Sequence, residues 1–214
     1  MTFDEYWTLL WNIKTDSDVE QYYDELLRPF FKEAIQETKN VKVIPTFDTR
    51  NHTKSNKYEC ITGSVDKLVW PDYIFVPNQY THDAPVSPYI KVEFKTPQIT
   101  SKNGRLLYFP INKLSDKFYY EILSESSAVP LILTDGITWL FLRKSTDVDK
   151  IKSLEDIKTI SLIVKKQKYY NGYYAVLSQQ IGKIFSSLKE EIKSFITQSK
   201  HYKELNSDLT EQEK

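Results

Sequence analysis

Between Tyr89 and Lys95 the chain reads YIKVEFK, and this alternation limits the possible folds more than any other stretch. Successive side chains on a strand point to opposite faces, so Ile90, Val92 and Phe94 share one side and Lys91, Glu93 and Lys95 the other. The apolar side demands an interior position. The charged side makes that position costly unless its groups pair or bind something. A second apolar run, Tyr73 to Val76, is headed by Pro71-Asp72 and separated from the first by a loop bearing Pro and His. If the two runs are antiparallel neighbours, the start of one lies beside the end of the other, and Asp72 faces Glu93. Two close carboxylates repel and share a proton unless a cation sits between them. Hard oxygen donors of this kind suit Mg²⁺ or Mn²⁺. Lys95 is then placed to position an attacking water and stabilise charge developing on a phosphate.

Glu-x-Lys alone carries little information. With 15 Glu and 25 Lys in 214 residues, three such triplets occur: Glu37–Lys39, Glu93–Lys95 and Glu191–Lys193. The first and last fall on helical patterns and read as solvated pairs. Only Glu93–Lys95 ends a strand-like alternation. The bland alternative for Asp72, Glu93 and Lys95 is a structural charge cluster on a sheet edge.

Composition excludes several classes. The chain is 40% hydrophobic and 14% aromatic, enough for a sizeable core. No run of 18 apolar residues exists and the N-terminus is acidic, against a membrane span or a secretory signal. The single cysteine, Cys60, can form no internal disulfide and no Cys-based zinc site. An intracellular location, cytoplasm or nucleus, is the expectation. Net charge is zero but uneven, with nine acids against four bases in residues 1–40 and eleven lysines against four acids in 150–203. That asymmetry permits a local basic face toward nucleic acid.

Taken in order, Thr2 and Glu5 form a capping box for a first helix carrying Phe3, Tyr6, Trp7, Leu10 and Trp11 at helical spacing. Asp16 or Asp18 caps a longer helix to about Thr38, which Pro29 should kink or divide. Val41–Phe47 reads as a strand demoted to an edge by Pro45. Strand patterns at 58–61 and 64–76 follow, then Tyr89–Lys95, a loop over 96–112 and a helix over 115–125. Val129–Thr134, Asp135-Gly136 and Ile137–Arg143 form the clearest hairpin. A short strand at Ile160–Val164 precedes a final helix over 173–199. The pattern predicts an α/β (α+β) fold in which helices flank a central mixed sheet, with a long C-terminal helix. One domain is expected over residues 1–202, with a polar, frayed tail over 203–214.

Lys165, Lys166 and Lys168 interleave with Tyr169, Tyr170, Tyr173 and Tyr174, a composition suited to phosphate contact and base stacking. The duller reading is a basic connection entering an aromatic-faced helix. Lys102 and Arg105, in the loop after Lys95, are candidate backbone contacts for the same reason. His52, His82 and His201 lack clustered Cys or acids and read as surface residues, although His82-Asp83 lies between the two motif strands. There is no nucleophile elbow and no Gly-rich phosphate loop.

Pro71-Asp72, an interval of 21 residues, and Glu93-Phe94-Lys95 resemble the PD-(D/E)XK nuclease superfamily, home of many restriction and repair nucleases. Leu131–Arg143 (LILTDGITWLFLR) is similar to the segment after the core helix in the N-terminal nuclease region of type I restriction subunits. The resemblance covers roughly residues 18–143 and implies a restriction-endonuclease-like fold. It further implies a Mg²⁺-dependent (or Mn²⁺-dependent) endonuclease with Asp72 and Glu93 on the metal, Lys95 beside the nucleophile and DNA favoured over RNA. In that subgroup an acid on the first long helix often joins the metal site, and Glu20 is the candidate here, with Asp24 and Glu25 close behind. Gln98 is the nearest match to a glutamine that follows the motif in several members. The alternative is a catalytically inactive domain on the same fold that binds nucleic acid or a protein. Many small nucleases dimerise, so a homodimer is among the expected arrangements.

Overall fold

The structure is a computed structural model, and it describes residues 1–46, 71–81, 86–111, 129–143 and 157–207. It is a mixed α/β fold of the α+β kind, with two sheets and a long C-terminal helix. The chain opens with α1 (Phe3–Asn12), α2 (Asp16–Gln21), a π-helical turn (Tyr23–Leu27) and α3 (Arg28–Ala34). Strands β1 (Lys42–Pro45), β2 (Tyr73–Val76), β3 (Ile90–Phe94), β4 (Ile99–Lys102) and β5 (Arg105–Tyr108) follow. Then come β6 (Leu131–Thr134), β7 (Thr138–Leu142), β8 (Lys158–Ser161), β9 (Ile163–Tyr169) and β10 (Gly172–Leu177). Helices α4 (Ile181–Thr197) and α5 (Lys200–Leu205) close the fold. No described helix is long and apolar enough to cross a membrane.

The larger sheet has the order β1-β2-β3-β6-β7-β8. Every neighbouring pair is antiparallel except β3 and β6, which run parallel with Glu93 level with Leu133. Every residue of β2, β3, β6 and β7 is buried, as expected of central strands covered on both faces. Among the described residues β1 is an edge strand, where Pro45 withholds no ladder bond from a second neighbour. The crossover segment expected as a helix over 115–125 lies outside the described residues, as do the strand patterns of 58–70.

Helices cover one face of this sheet through an aromatic cluster. The Phe30 ring sits 5.0 Å from Tyr6, 5.4 Å from Trp139 and 5.4 Å from Phe185. Phe31 meets Phe75 edge-on at 5.3 Å. The capping box at Thr2 and Glu5 forms as expected, with backbone-to-side-chain bonds of 2.7 and 3.3 Å. A cap contributes about 1 kcal/mol. Burying Tyr6 and Leu10, both fully enclosed, contributes roughly 1.5–3 kcal/mol each, so packing rather than capping holds this short helix.

The second expected helix is divided, as Pro29 foreshadowed. The π-helical turn ends where the Arg28 N–H bonds to the Tyr23 carbonyl, and α3 starts at once with Pro29 in its first turn. There the missing proline N–H costs nothing. At the start of α2, Asp18 accepts from the backbone N–H groups of Lys14 and Thr15, both at 2.8 Å.

Two expectations fail in an informative way. The stretch 96–112, read as a loop, contains the β4–β5 hairpin, and the final helix begins at Ile181 rather than Tyr173. Residues 172–177 are instead β10, one of two inner strands of a second antiparallel sheet of order β4-β5-β10-β9. Asn103 and Gly104 both have positive φ and connect Lys102 to its partner Arg105, the two-residue Asn-Gly turn that matches strand twist.

The β6–β7 turn is buried, which is unusual for a hairpin tip. Asp135 is 1% exposed and accepts from the N–H groups of Ile137 (2.9 Å) and Thr138 (2.8 Å). The Gly136 carbonyl accepts from Tyr6 Oη at 2.8 Å and Trp139 Nε1 at 3.3 Å. Gly136 has φ +80°, and a Cβ there would lie 2.4 Å from Leu10 Cδ1. Gly136→Ala should therefore lose about 2–4 kcal/mol of stability, from left-handed backbone strain plus overpacking against α1. Gly104→Ala, where φ is also positive but the surrounding space is open, should lose only ~1–2 kcal/mol. Denaturant unfolding of the two variants tests the difference.

Candidate functional site

Strands β2 and β3 pair antiparallel with Tyr73 opposite Val92 and Ile74 opposite Lys91. Extending that ladder by one residue sets Asp72 opposite Glu93, on a shared face. Asp72 also reaches over the strand end, where its Oδ2 accepts from the Phe94 N–H at 2.7 Å. Its own backbone is held from the other side. The carbonyls of Pro71 and Asp72 accept from Thr46, with the Thr46 N–H to Asp72 bond at 2.9 Å. The expected neighbour relation thus exists, and the Pro-Asp step is fixed between β1 and β3.

Glu93 is 6% exposed. Its Oε1 lies 3.0 Å from Lys95 Nζ, and that lysine side chain is about two-fifths exposed. A buried carboxylate of this kind needs a close partner to offset its desolvation. The Lys95 backbone N–H bonds to the Thr134 carbonyl at 2.7 Å, so β6 fixes the far side of the motif. Lys91, two residues before Glu93, is fully buried. Of the three charged side chains expected on one face, Lys91 and Glu93 belong to the interior strand β3, and Lys95 follows its end.

The other two Glu-x-Lys triplets behave differently. Lys193 pairs with Glu37 at 2.8 Å, and Glu191 pairs with Lys158. These ions bridge separate elements, whereas Glu93 and Lys95 close on each other.

Glu20 lies exposed on α2. Its charge reaches the Tyr73 phenol, as do those of Asp72 and Glu93. Burial chiefly, then these nearby negative groups with Tyr23, push that phenol well above the ordinary tyrosine range. Tyr73 is stacked on Tyr23 with ring centroids 5.1 Å apart, and it feels the charge of all three acids. Sequence reasoning placed it only in an apolar run, although its position directly after Asp72 was a signal. Asp24 instead pairs with Arg28 at 3.1 Å. Glu25 is exposed on the π-helical turn, and Gln98 is exposed in the link to β4. Among the described residues no three His, Cys, Asp or Glu side chains are grouped to hold a metal together. The candidate site is therefore the carboxylate pair Asp72 and Glu93 with Lys95.

The five basic candidates come from two distant stretches, and the fold gathers them on the second sheet. Lys102 and Arg105 flank the β4–β5 turn, while Lys165, Lys166 and Lys168 lie exposed on β9. Lys102 sits 4.6 Å over the Tyr169 ring, Lys165 4.9 Å over Tyr173 and Arg105 5.8 Å over Tyr174. The Tyr169 hydroxyl bond raises the Lys102 pKa above its ordinary value. His201 lies 3.6 Å from Glu204 on α5, whereas His52, His82 and Asp83 lie outside the described residues.

Asp135 stands just past Thr134, the residue level with Phe94. Besides its backbone bonds it accepts from the Tyr108 hydroxyl at 2.7 Å. Burial raises its pKa from 3.8 to about 6, against the lowering effect of these bonds. Between those values the folded chain holds a proton that the unfolded chain has released. This group's contribution to stability therefore falls as pH rises from about 4 to 6 and is flat above. Asp135→Asn removes that dependence. Relative to wild type, the variant should gain about 3 kcal/mol across this window, at ~1.4 kcal/mol per pKa unit. Unfolding curves at a series of pH values read the gain.

No protein-family model matches the chain, and neither a curated protein nor a solved structure matches it.

Proposed function

We propose that this protein is a Mg²⁺-dependent endonuclease of the PD-(D/E)XK type, hydrolysing phosphodiester bonds in DNA. One observation carries the reading: the β2–β3 register sets Asp72 across from Glu93, with Lys95 3.0 Å from the Glu93 carboxylate. The element order around it supports the same reading. Helices come first, then the strand carrying Asp and the strand carrying Glu-x-Lys, and a parallel strand, β6, flanks the latter.

The donor set fits a hard divalent cation, since two carboxylates face each other at one end of a strand pair. Asp72 and Glu93 would hold it, with Glu20 on α2 adding to the negative field. Bound there, the ion supplies Lewis acidity at the scissile phosphate. Hydrolysis needs a water oxygen to bond to phosphorus, a proton to leave that water, and the bond to the departing strand to break. Lys95 would serve the phosphate: its ammonium, held by Glu93, offsets negative charge as it builds on the phosphate oxygens. The Phe94 N–H and the Thr46 contacts keep Asp72 from rotating away.

A second reading rests on the same ion pair. Glu93 and Lys95 satisfy each other's charge in the absence of substrate, as they would in a catalytically inactive nucleic-acid-binding domain. Incubation of the purified protein with Mg²⁺ or Mn²⁺ and single- or double-stranded DNA and RNA separates the two. Cleavage should stop on chelation and fall by about 10²–10³ or more in Asp72→Ala and Lys95→Ala. Cleavage retained by both variants would refute the assignment, and a wild type that binds without cutting would select the inactive domain.

A further inference from the structure

Between α1 and the second sheet runs a groove of about 690 Å³, whose lining includes Trp7, Trp11, Arg105, Leu106, Lys166 and Tyr174. Its size lies within the roughly 300–1,000 Å³ of small-ligand sites. Among the described residues that line it, none is acidic. Trp7 and Trp11, one helical turn apart, have ring centroids 6.0 Å from each other. Tyr6 and Leu10 on the same helix are fully buried, while both tryptophans remain partly exposed. Both pack against the core at its margin and keep part of their surface for the groove.

Cations border these rings. Lys14 lies 5.1 Å over Trp11 and Arg105 5.8 Å over Tyr174. The adjoining β9–β10 hairpin also shows an unusual amount of apolar surface for a water-facing strand pair. Val164 is 41% exposed, Val176 45%, Leu177 37% and Tyr170 80%. Tyr170 also has φ +49°, a conformation an aromatic residue rarely adopts.

We propose that this groove binds an unpaired stretch of nucleic acid, its bases against Trp7, Trp11 and Tyr174 and its phosphates on Arg105 and Lys166. A duplex presents phosphates and would satisfy the cations, but its bases are stacked inside and would leave the tryptophans uncovered. An unpaired strand offers base faces and phosphates together, which the rings and cations of this groove can both engage. The chain passes from Lys95 to Ile99 within four residues, a span of at most ~14 Å. The strand that follows the candidate catalytic lysine is thus the first strand of the basic sheet. This inference deepens the nuclease reading and rests on it for the claim that the bound strand is the substrate.

Binding in EDTA, where cleavage is blocked, tests the groove by itself. Oligothymidylate, oligouridylate, a DNA duplex, heparin and polyglutamate are titrated while tryptophan emission and probe anisotropy are followed. Single strands should quench tryptophan emission and bind at least about tenfold tighter than the duplex, stacking being worth ~1–3 kcal/mol per base. The thymidylate and uridylate arms separate DNA from RNA. Arg105→Glu and Lys166→Glu, at exposed positions and checked by circular dichroism, should each weaken that binding about tenfold or more. Trp11→Leu should remove much of the quench. Equal binding of duplex, heparin and single strands without quenching would overturn the proposal, as would polyglutamate quenching and competing as well as oligothymidylate. Loss of cleavage in Asp72→Ala with single-strand affinity intact in Arg105→Glu and Lys166→Glu would overturn the groove alone. A wild type that never cleaves, but whose binding those two substitutions abolish, overturns the nuclease reading and leaves the groove standing.

Discussion

The fold depends on a turn that is inside rather than outside. Asp135 holds the β6–β7 turn closed through the N–H groups of Ile137 and Thr138, and three separate elements dock on what it closes. Tyr6 brings α1 onto the Gly136 carbonyl. The Tyr108 hydroxyl bonds both Asp135 and Thr138, so the second sheet is tied to the same point. Thr138 in turn lies beside Ser161 at the end of β8. A buried carboxylate costs free energy, which is why its acidity is shifted. Its three accepted hydrogen bonds offset that cost and specify one geometry out of many that an apolar turn would allow. A polar network of this kind is rigid because none of its members can move alone.

That rigidity bears on the candidate site through β6. The strand is the parallel neighbour of β3, and its carbonyl at Thr134 receives the Lys95 N–H. Asp72 is fixed from the opposite side by Phe94 and Thr46. The carboxylate pair and its lysine thus lie between two strands whose positions are set elsewhere, and the chemistry placed there inherits its geometry from the core. The exposure of Lys95 contrasts with the burial of Glu93. One end of the ion pair is structural in setting, and the other faces solvent where a substrate could approach.

Much of the larger sheet was legible because its strands announce themselves. Tyr73–Val76 and Leu131–Thr134 are short apolar runs. Tyr89–Lys95 alternates, and Asp135-Gly136 marks a hairpin. The pairing of Asp72 with Glu93 followed from one assumption, antiparallel neighbours. The second sheet was not legible, for a physical reason. Its outer strand β9 is exposed from Val164 to Lys168 and carries lysines at three of those five positions. Such a strand shows neither an apolar face nor a clean alternation. Residues 173–177 have aromatic and apolar side chains that fit a helix as well as a strand, and the helical pattern downstream absorbed them. The Asn103-Gly104 pair was the local clue available. The half-buried setting of Trp7 and Trp11 was hidden too, because helical spacing assigns them to the same stripe as Tyr6 and Leu10 and cannot say how wide the covering layer is.

The second sheet is also stitched together across the chain. β5 pairs with β10, Tyr108 opposite Tyr173, so strands from the β3–β6 crossover meet strands that follow the whole of the larger sheet. Chain synthesis runs in one direction. The strands bearing Asp72 and Glu93 are complete, and can pair, before any residue of β9 or β10 has been made. The basic and aromatic surface comes into being only once β9 and β10 have emerged. A truncated or still-growing chain thus carries Asp72, Glu93 and Lys95 without the basic and aromatic sheet beside them.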